Sequence, residues 1–234
     1  MTASLRSATV CTALIILFTA FLAQANERPL SVRTLALGEV DMPAWYIEAG
    51  DKRYEQLEWP DGQPSAATMT QAGRDLILYS KETNQEGEPE FKLARKVAVP
   101  EAADEVLLLG WLTDNDGQAE LLAIADDHRK ANFNDWLVIN RSDQAVTLRY
   151  GKGNDPISLE SGEAKTYRIQ GERNKGGEVI AEAMMKGEMR KIYSTFWAAS
   201  DKQRSLVLFH SKDGGVKVRR IIDFLPMVKE EDSN

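Results

Sequence analysis

The chain resembles itself, and this limits its fold more than composition does. Ala44-Trp45-Tyr46-Ile47 returns as Asp135-Trp136-Leu137-Val138. Asp104-Glu105-Val106-Leu107-Leu108-Leu109 leads to Asp114-Asn115-Asp116-Gly117 and then to Ile124-Ala125-Asp126. Its later counterpart is Arg204-Ser205-Leu206-Val207-Leu208-Phe209, then Lys212-Asp213-Gly214-Gly215, then Ile221-Ile222-Asp223. A repeat of about 90 residues is too long for a solenoid and suits a small β-sandwich. The recurring features are apolar pattern and turn chemistry; no reactive group recurs.

Within each copy the pattern alternates. Val146, Leu148 and Tyr150 share one face of a strand, against Thr147 and Arg149. Phe91, Leu93, Val97 and Val99 share a face that Arg95 interrupts. Alternation of this kind belongs to sheets with one wet face. Residues 106–109 and 206–209 are apolar throughout and predict central strands covered on both sides. Asp61-Gly62, Asp116-Gly117 and Asp213-Gly214 are hairpin dipeptides, with further turns at Gly151-Lys152-Gly153-Asn154 and Asn174-Lys175-Gly176-Gly177. Many short strands with turns at this spacing predict an all-β fold: two tandem, internally duplicated β-sandwich units of about 90 residues, packed against each other. The first unit spans residues 26–126 and includes an N-terminal edge strand through Val32 to Leu37. Residues 127–134 form a linker with room for one helical turn at 127–132, the second unit spans 135–226, and a charged tail covers 227–234.

Residues 1–25 read as a signal peptide. Arg6 supplies the positive start, residues 10–22 the apolar run, and Ala23-Gln24-Ala25 a small-x-small cleavage site. The run is short for a membrane span. Cys11 is the only cysteine, so cleavage would leave no disulfide, no thiolate metal site and no thiol nucleophile. The chain is expected to be exported, periplasmic or extracellular, with no membrane span once the signal is removed. The formal net charge is −7, and the basic pairs Arg95-Lys96 and Arg219-Arg220 stand alone, so nothing favours nucleic acid.

Three stretches of the second copy carry a resemblance: Asp135-Trp136-Leu137-Val138-Ile139-Asn140-Arg141-Ser142, Leu159-Glu160-Ser161-Gly162-Glu163, and Ile192-Tyr193-Ser194-Thr195-Phe196-Trp197. Together they resemble a group of secreted bacterial β-sandwich proteins with no assigned activity. The resemblance covers most of residues 105–223. It implies a secreted sandwich and brings no catalytic residue with it.

Candidate chemistry is sparse. His128 follows Asp126 and Asp127, but adjacent residues do not converge on a metal without a special loop. His210 ends an apolar strand. No spacing suggests a Ser-His-Asp set, and Gly-x-Ser-x-Gly is absent. Asp114-Asn115-Asp116-Gly117 begins like a calcium loop, but its Gly comes two positions early and position twelve is Ala125. Copy two has Lys212 at the same turn, a cation where a cation would bind. With 36 acidic residues some carboxylate pair can always be named, and Glu55/Glu58 and Glu182/Glu188 have no distinguishing context. No catalytic residue, metal site or cofactor is expected. Trp45 and Trp136 fall at matching places and read as core, since each indole removes about 150–250 Å² from water. Trp59, before Pro60-Asp61-Gly62, has no Trp counterpart and is the candidate ligand-binding aromatic.

The expected function is a non-catalytic structural or protein-interaction module of the bacterial envelope, partnered by another envelope or secreted protein. The alternative is a glycan- or small-ligand-binding module using Trp59. A hydrolase ranks third.

Overall fold

The computed structural model describes residues 27–113, 117–170, 172, 175–200, 202–212 and 214–226. The signal segment with Cys11, the acidic part of the calcium-like loop and the tail at 227–234 lie outside the described residues. The fold is all-β and comprises two β-sandwich units, as the alternation predicts. The only helical element among the described residues is a 3-10 turn at His128–Lys130. No helix among them is long and apolar enough to cross a membrane.

Unit 1 holds the described residues up to Trp59 together with Ala66–Ala125. Its strands are β1 (Arg28–Ala36), β2 (Tyr46–Glu48), β3 (Tyr54–Gln56), β4 (Thr68–Ala72), β5 (Asp75–Thr83), β6 (Pro89–Ala98), β7 (Glu105–Leu112) and β8 (Ala119–Ala125). They form two sheets, ordered β4-β1-β7-β8 and β3-β2-β5-β6. Unit 2 holds Pro60–Ser65 and the described residues from Asp126 onward. Its strands are β9 (Asp135–Arg141), β10 (Val146–Tyr150), β11 (Ile157–Leu159), β12 (Ala164–Arg168), β13 (Gly176–Met185), β14 (Glu188–Ala198), β15 (Gln203–Lys212) and β16 (Gly215–Phe224). Its sheets are ordered β12-β9-β15-β16 and β11-β10-β13-β14.

Strand for strand, unit 2 has the order of unit 1. Each unit also has one parallel pair, β1 with β7 and β9 with β15. A parallel pair cannot be joined by a hairpin. In unit 1 the chain between β1 and β7 supplies the whole second sheet, and in unit 2 the chain between β9 and β15 does the same. Even the irregularities match. Leu78 pairs with Arg95 and Tyr79 with Leu93, which leaves Ala94 unopposed. Ala181 pairs with Tyr193 and Glu182 with Lys191, which leaves Ile192 unopposed.

Pairing fixes which residues correspond. Val32 lies beside Val106 and Val138 beside Val207, and all four belong to the buried cores. Leu30 therefore corresponds to Trp136. Trp45, just before β2, corresponds to Val146 of β10, since Leu57 donates to Trp45 O and Val146 pairs with Leu159. The sequence match of Trp45 with Trp136 is thus corrected: the indoles are both buried, at 7% and 4% exposure, but on strands of different sheets. Aligning Val106 with Leu206 likewise slips by one residue, because Val207 and Phe209 face the unit 2 core. One residue is enough to turn a strand's side chains over.

The two all-apolar runs are central strands with both faces buried; residues 106–109 and 206–209 are at most 2% exposed. A fully buried side chain of this kind contributes about 1.5–3 kcal/mol. Two sequence expectations change. β1 is an interior strand between β4 and β7, not an edge, because the parallel β7 returns beside it. In β6, Val97 is buried, and Val99 just beyond the strand is too, but Leu93 is 57% exposed. The bulge at Ala94 reverses the alternation, so Phe91 and Leu93 face away from the core.

Candidate binding site

Trp59 follows β3 and is half-buried, not fully exposed as its turn-side position suggests. Its ring meets Trp45 edge-on, with centroids 5.8 Å apart and planes at 72°. Below it lies Gly110 of β7. A Cβ there would sit 2.6 Å from the Trp59 ring and 2.5 Å from Met42 Cε, so only glycine lets both side chains rest on the strand. The Thr34 hydroxyl donates to Glu58 O and ties the Trp59 segment to β1. The Trp59 indole N–H is buried and has no hydrogen-bond partner among the described residues. An unpaired buried donor costs about 1–3 kcal/mol, so its retention needs a reason.

Beside this ring is an open pocket of about 480 Å³, lined by residues 40–44 and 56–59. One wall comes from residues 37–45, which join β1 to β2. Asp41 and Glu58 are exposed in the lining, with Val40, Met42, Pro43 and Leu57 as its apolar part. The volume lies within the range of small-ligand sites, about 300–1,000 Å³.

The same end of unit 2 is built differently. Its β9–β10 connection is only residues 142–145. Asn140, at the place of Thr34, is wholly buried. Its amide donates to Gln144 O at 2.8 Å, Glu160 O at 3.0 Å and Leu159 O at 3.3 Å. Its Oδ1 accepts from Ser142 N and Ser142 Oγ at 3.0 and 2.7 Å. Ser161 stands where Trp59 does, and its hydroxyl donates to Ser142 O at 2.7 Å. Gly110 becomes Ser211, bonded to Asp143 Oδ1 at 2.8 Å. The hollow beside it is about 230 Å³. At this end unit 2 hydrogen-bonds the side chains of Asn140, Ser161 and Ser211 within the unit, although elsewhere in it Arg204 NH1 is, like the Trp59 indole N–H of unit 1, buried without a partner among the described residues.

Other concentrations of chemistry are structural. Arg204, 1% exposed, donates from Nε to Asp223 Oδ2 at 2.9 Å, and its NH2 reaches Asp126 Oδ1. Burial lowers the guanidinium pKa, but Asp126 and Asp223 more than offset this and hold it above its usual range. His128 contacts Phe224 O at 2.8 Å and Asp223 Oδ1 at 3.5 Å. His210 lies inside β15; burial, with Lys212, Arg219 and Lys217 nearby, pushes its pKa below 6.5. Among the described residues no cluster of three or more His, Cys, Asp or Glu side chains is placed to hold a metal ion.

Tyr54 and Phe91, from the edge strands β3 and β6 of one sheet, stack at 4.0 Å with planes 10° apart. Tyr79 meets Tyr54 and Tyr46 meets Phe91 edge-on, at 4.9 and 5.2 Å. Edge strands separated by two others lie about 14 Å apart in a flat sheet, so the sheet must curl to bring these rings together. Each of the four rings is half-buried, so they form a small satellite core rather than an open platform.

The sequence offered Trp59 only as a candidate and gave no notice of Gly110 beneath it or of the pocket beside it. A Gly closing an apolar strand run signals close approach of another group, and that signal was available at Leu109-Gly110-Trp111. No protein-family model matches the chain, and no curated protein matches it.

Proposed function

We propose that the protein is an exported, non-catalytic interaction module of the bacterial envelope, and that unit 1 does the binding while unit 2 serves as a closed counterpart of the same design. The observation that carries this reading is the contrast at one corresponding place. Two sandwiches share strand order, parallel pair and bulge, and differ where unit 1 has the longer loop, the glycine seat, the unpaired indole donor and the open pocket.

Two further features support the assignment. The most deeply buried ionisable groups, Arg204 with Asp126 and Asp223, are paired with one another away from solvent, as in a structural ion cluster. The long edge strands β6 and β14 carry Lys92, Arg95 and Lys96, and Arg190 and Lys191, with a bulge in each. Charges and bulges protect an edge from added strands, which favours recognition at a pocket over strand addition.

The test is crosslinking of the mature protein in its native envelope, followed by recovery of the adduct. Expected is one reproducible adduct that Asp41→Asn or Trp59→Phe diminishes and Lys191→Gln in unit 2 leaves unchanged. Recovery of the protein alone, or an adduct indifferent to the unit 1 changes, would refute the proposal.

A further inference from the structure

A strand at the border of a sheet leaves half its main-chain groups without a neighbour, and it accepts another strand unless something prevents this. The two units have eight border strands among the described residues. β3 and β11 have three residues each, and β4 and β12 have five, so each offers little to pair with. β6 and β14 are bulged and carry basic side chains. β16 carries Lys217, Arg219 and Arg220, and Arg219 donates to Asp61 O. β8 has none of these defences. It runs for seven residues, Ala-Glu-Leu-Leu-Ala-Ile-Ala, and pairs with β7 without a bulge. Its only charge, Glu120, lies 3.7 Å from Arg95 NH2.

Thr113 N donates to Gln118 O at the turn between β7 and β8. Bonding alternates along an antiparallel pair, so Ala119, Leu121, Ala123 and Ala125 aim their N–H and C=O groups away from β7. Arg95 NH1 donates to Ala119 O from that side, at 2.6 Å. The outward groups of Leu121, Ala123 and Ala125 have no hydrogen-bond partner among the described residues. An extended main chain is their complement. We propose that it is β8 of a second copy, paired antiparallel about a two-fold axis at Leu122. In that register Ala119 faces Ala125, Leu121 faces Ala123 and Leu122 faces itself. Outward residues then meet outward residues in four pairs, with about eight main-chain hydrogen bonds in all. Partners share parity, so core-side residues stay on the core side and a sheet of four strands continues into one of eight. An identical strand suits because β8 is small and apolar read in either direction. Glu120 falls opposite Ile124 rather than opposite its own copy, with Arg95 still beside it. Such a pairing is closed, so association stops at the dimer. The inference does not rest on the unit 1 pocket.

Sedimentation velocity of the mature protein, from about 1 to 100 μM, should show a monomer–dimer equilibrium. Leu122 is half-buried and lies outside the unit 1 core, so Leu122→Lys should keep the melting temperature. It sets two like charges opposite each other and should weaken association about fivefold or more. A second variant holds the test open if that one fails to fold. Without residues 1–25 the protein has no cysteine, so Leu122→Cys supplies a lone thiol. Its copy would stand with Cα atoms about 4.5 Å apart, within disulfide range, and mild oxidation should give a covalent dimer. The two copies of Glu120→Cys would lie about 13 Å apart and should not crosslink. Four outcomes would overturn the proposal: a monomer at about 100 μM, a dimer that Leu122→Lys leaves intact, Glu120→Cys crosslinking as readily as Leu122→Cys, or Leu122→Cys joined to a different envelope protein. The last would assign β8 to a partner's strand.

Discussion

Asn140 and Thr34 hold the same position in the two units but are used to different extents. Thr34 donates to the carbonyl of Glu58. Asn140 donates to three carbonyls and accepts from Ser142 twice, all without solvent. Removing a side chain costs most where it strands buried partners. Asn140→Ala is expected to destabilise by about 2–4 kcal/mol and Thr34→Ala by about 1 kcal/mol in denaturant titrations; equal losses would show that the Asn140 network carries no extra weight. Asp135 makes a pH-dependent contribution. Burial raises its pKa, but two bonds from Arg168, at 2.7 and 2.8 Å, and those from Asn132 more than compensate and hold it below the usual 3.8. A depressed folded pKa gives stability that is complete above the unfolded value and is lost as pH falls through the folded one. The melting-temperature gap between wild type and Asp135→Asn should therefore be constant above about pH 5 and shrink below about pH 3.8. A gap that persists at about pH 2.5 would mean that the ion pair is not its source.

Elements show how much of the fold was legible in the sequence. Period-two alternation located β6 and β10, and the all-apolar runs located the central strands β7 and β15, because a half-wet or fully buried strand imprints its environment on every residue. The bulge at Ala94 was not legible. Phe91, Leu93, Val97 and Val99 keep one parity in sequence with only Arg95 interrupting it, and the pairing of Tyr79 with Leu93 after Leu78 with Arg95 shows that the face changes between them. Correspondence of the tryptophans failed for a related reason. Any large side chain fills a core equally well in pattern, so Trp136 aligned with Trp45 when its place belongs to Leu30. The bulge can be tested as an element. Deleting Ala94 would straighten β6 and carry Phe91 and Leu93 toward the core face while pulling Phe91 off Tyr54. The expected result is a loss of about 3 kcal/mol or more, as for overpacking combined with a lost register, and a weaker near-ultraviolet circular dichroism signal from the aromatic cluster. A deletion variant with unchanged melting and signal would show that the bulge sets neither.

At the scale of the whole molecule, two sandwiches with one topology permit a division that a single sandwich cannot make. At the corresponding end one copy hydrogen-bonds Asn140, Ser161 and Ser211 within the unit while the other has an open pocket beside Trp59. The alternation and turn spacing in the sequence foretold two sandwich units. The sequence did not show which unit was open, because this depends in unit 1 on Gly110 coming against Met42 and Trp59 and in unit 2 on Asn140 reaching Leu159 and Glu160, and each set is brought together only on folding. The same view bears on export. If the chain is cut after Ala25 it loses Cys11, its lone cysteine, and each unit is then held by burial and hydrogen bonding without a disulfide. The expected outcome is a mature protein in the periplasmic or extracellular fraction, with an N-terminus at Asn26 by mass spectrometry and no reaction with a thiol reagent after unfolding. A cytoplasmic protein that retains Cys11 would remove the envelope from the proposed function.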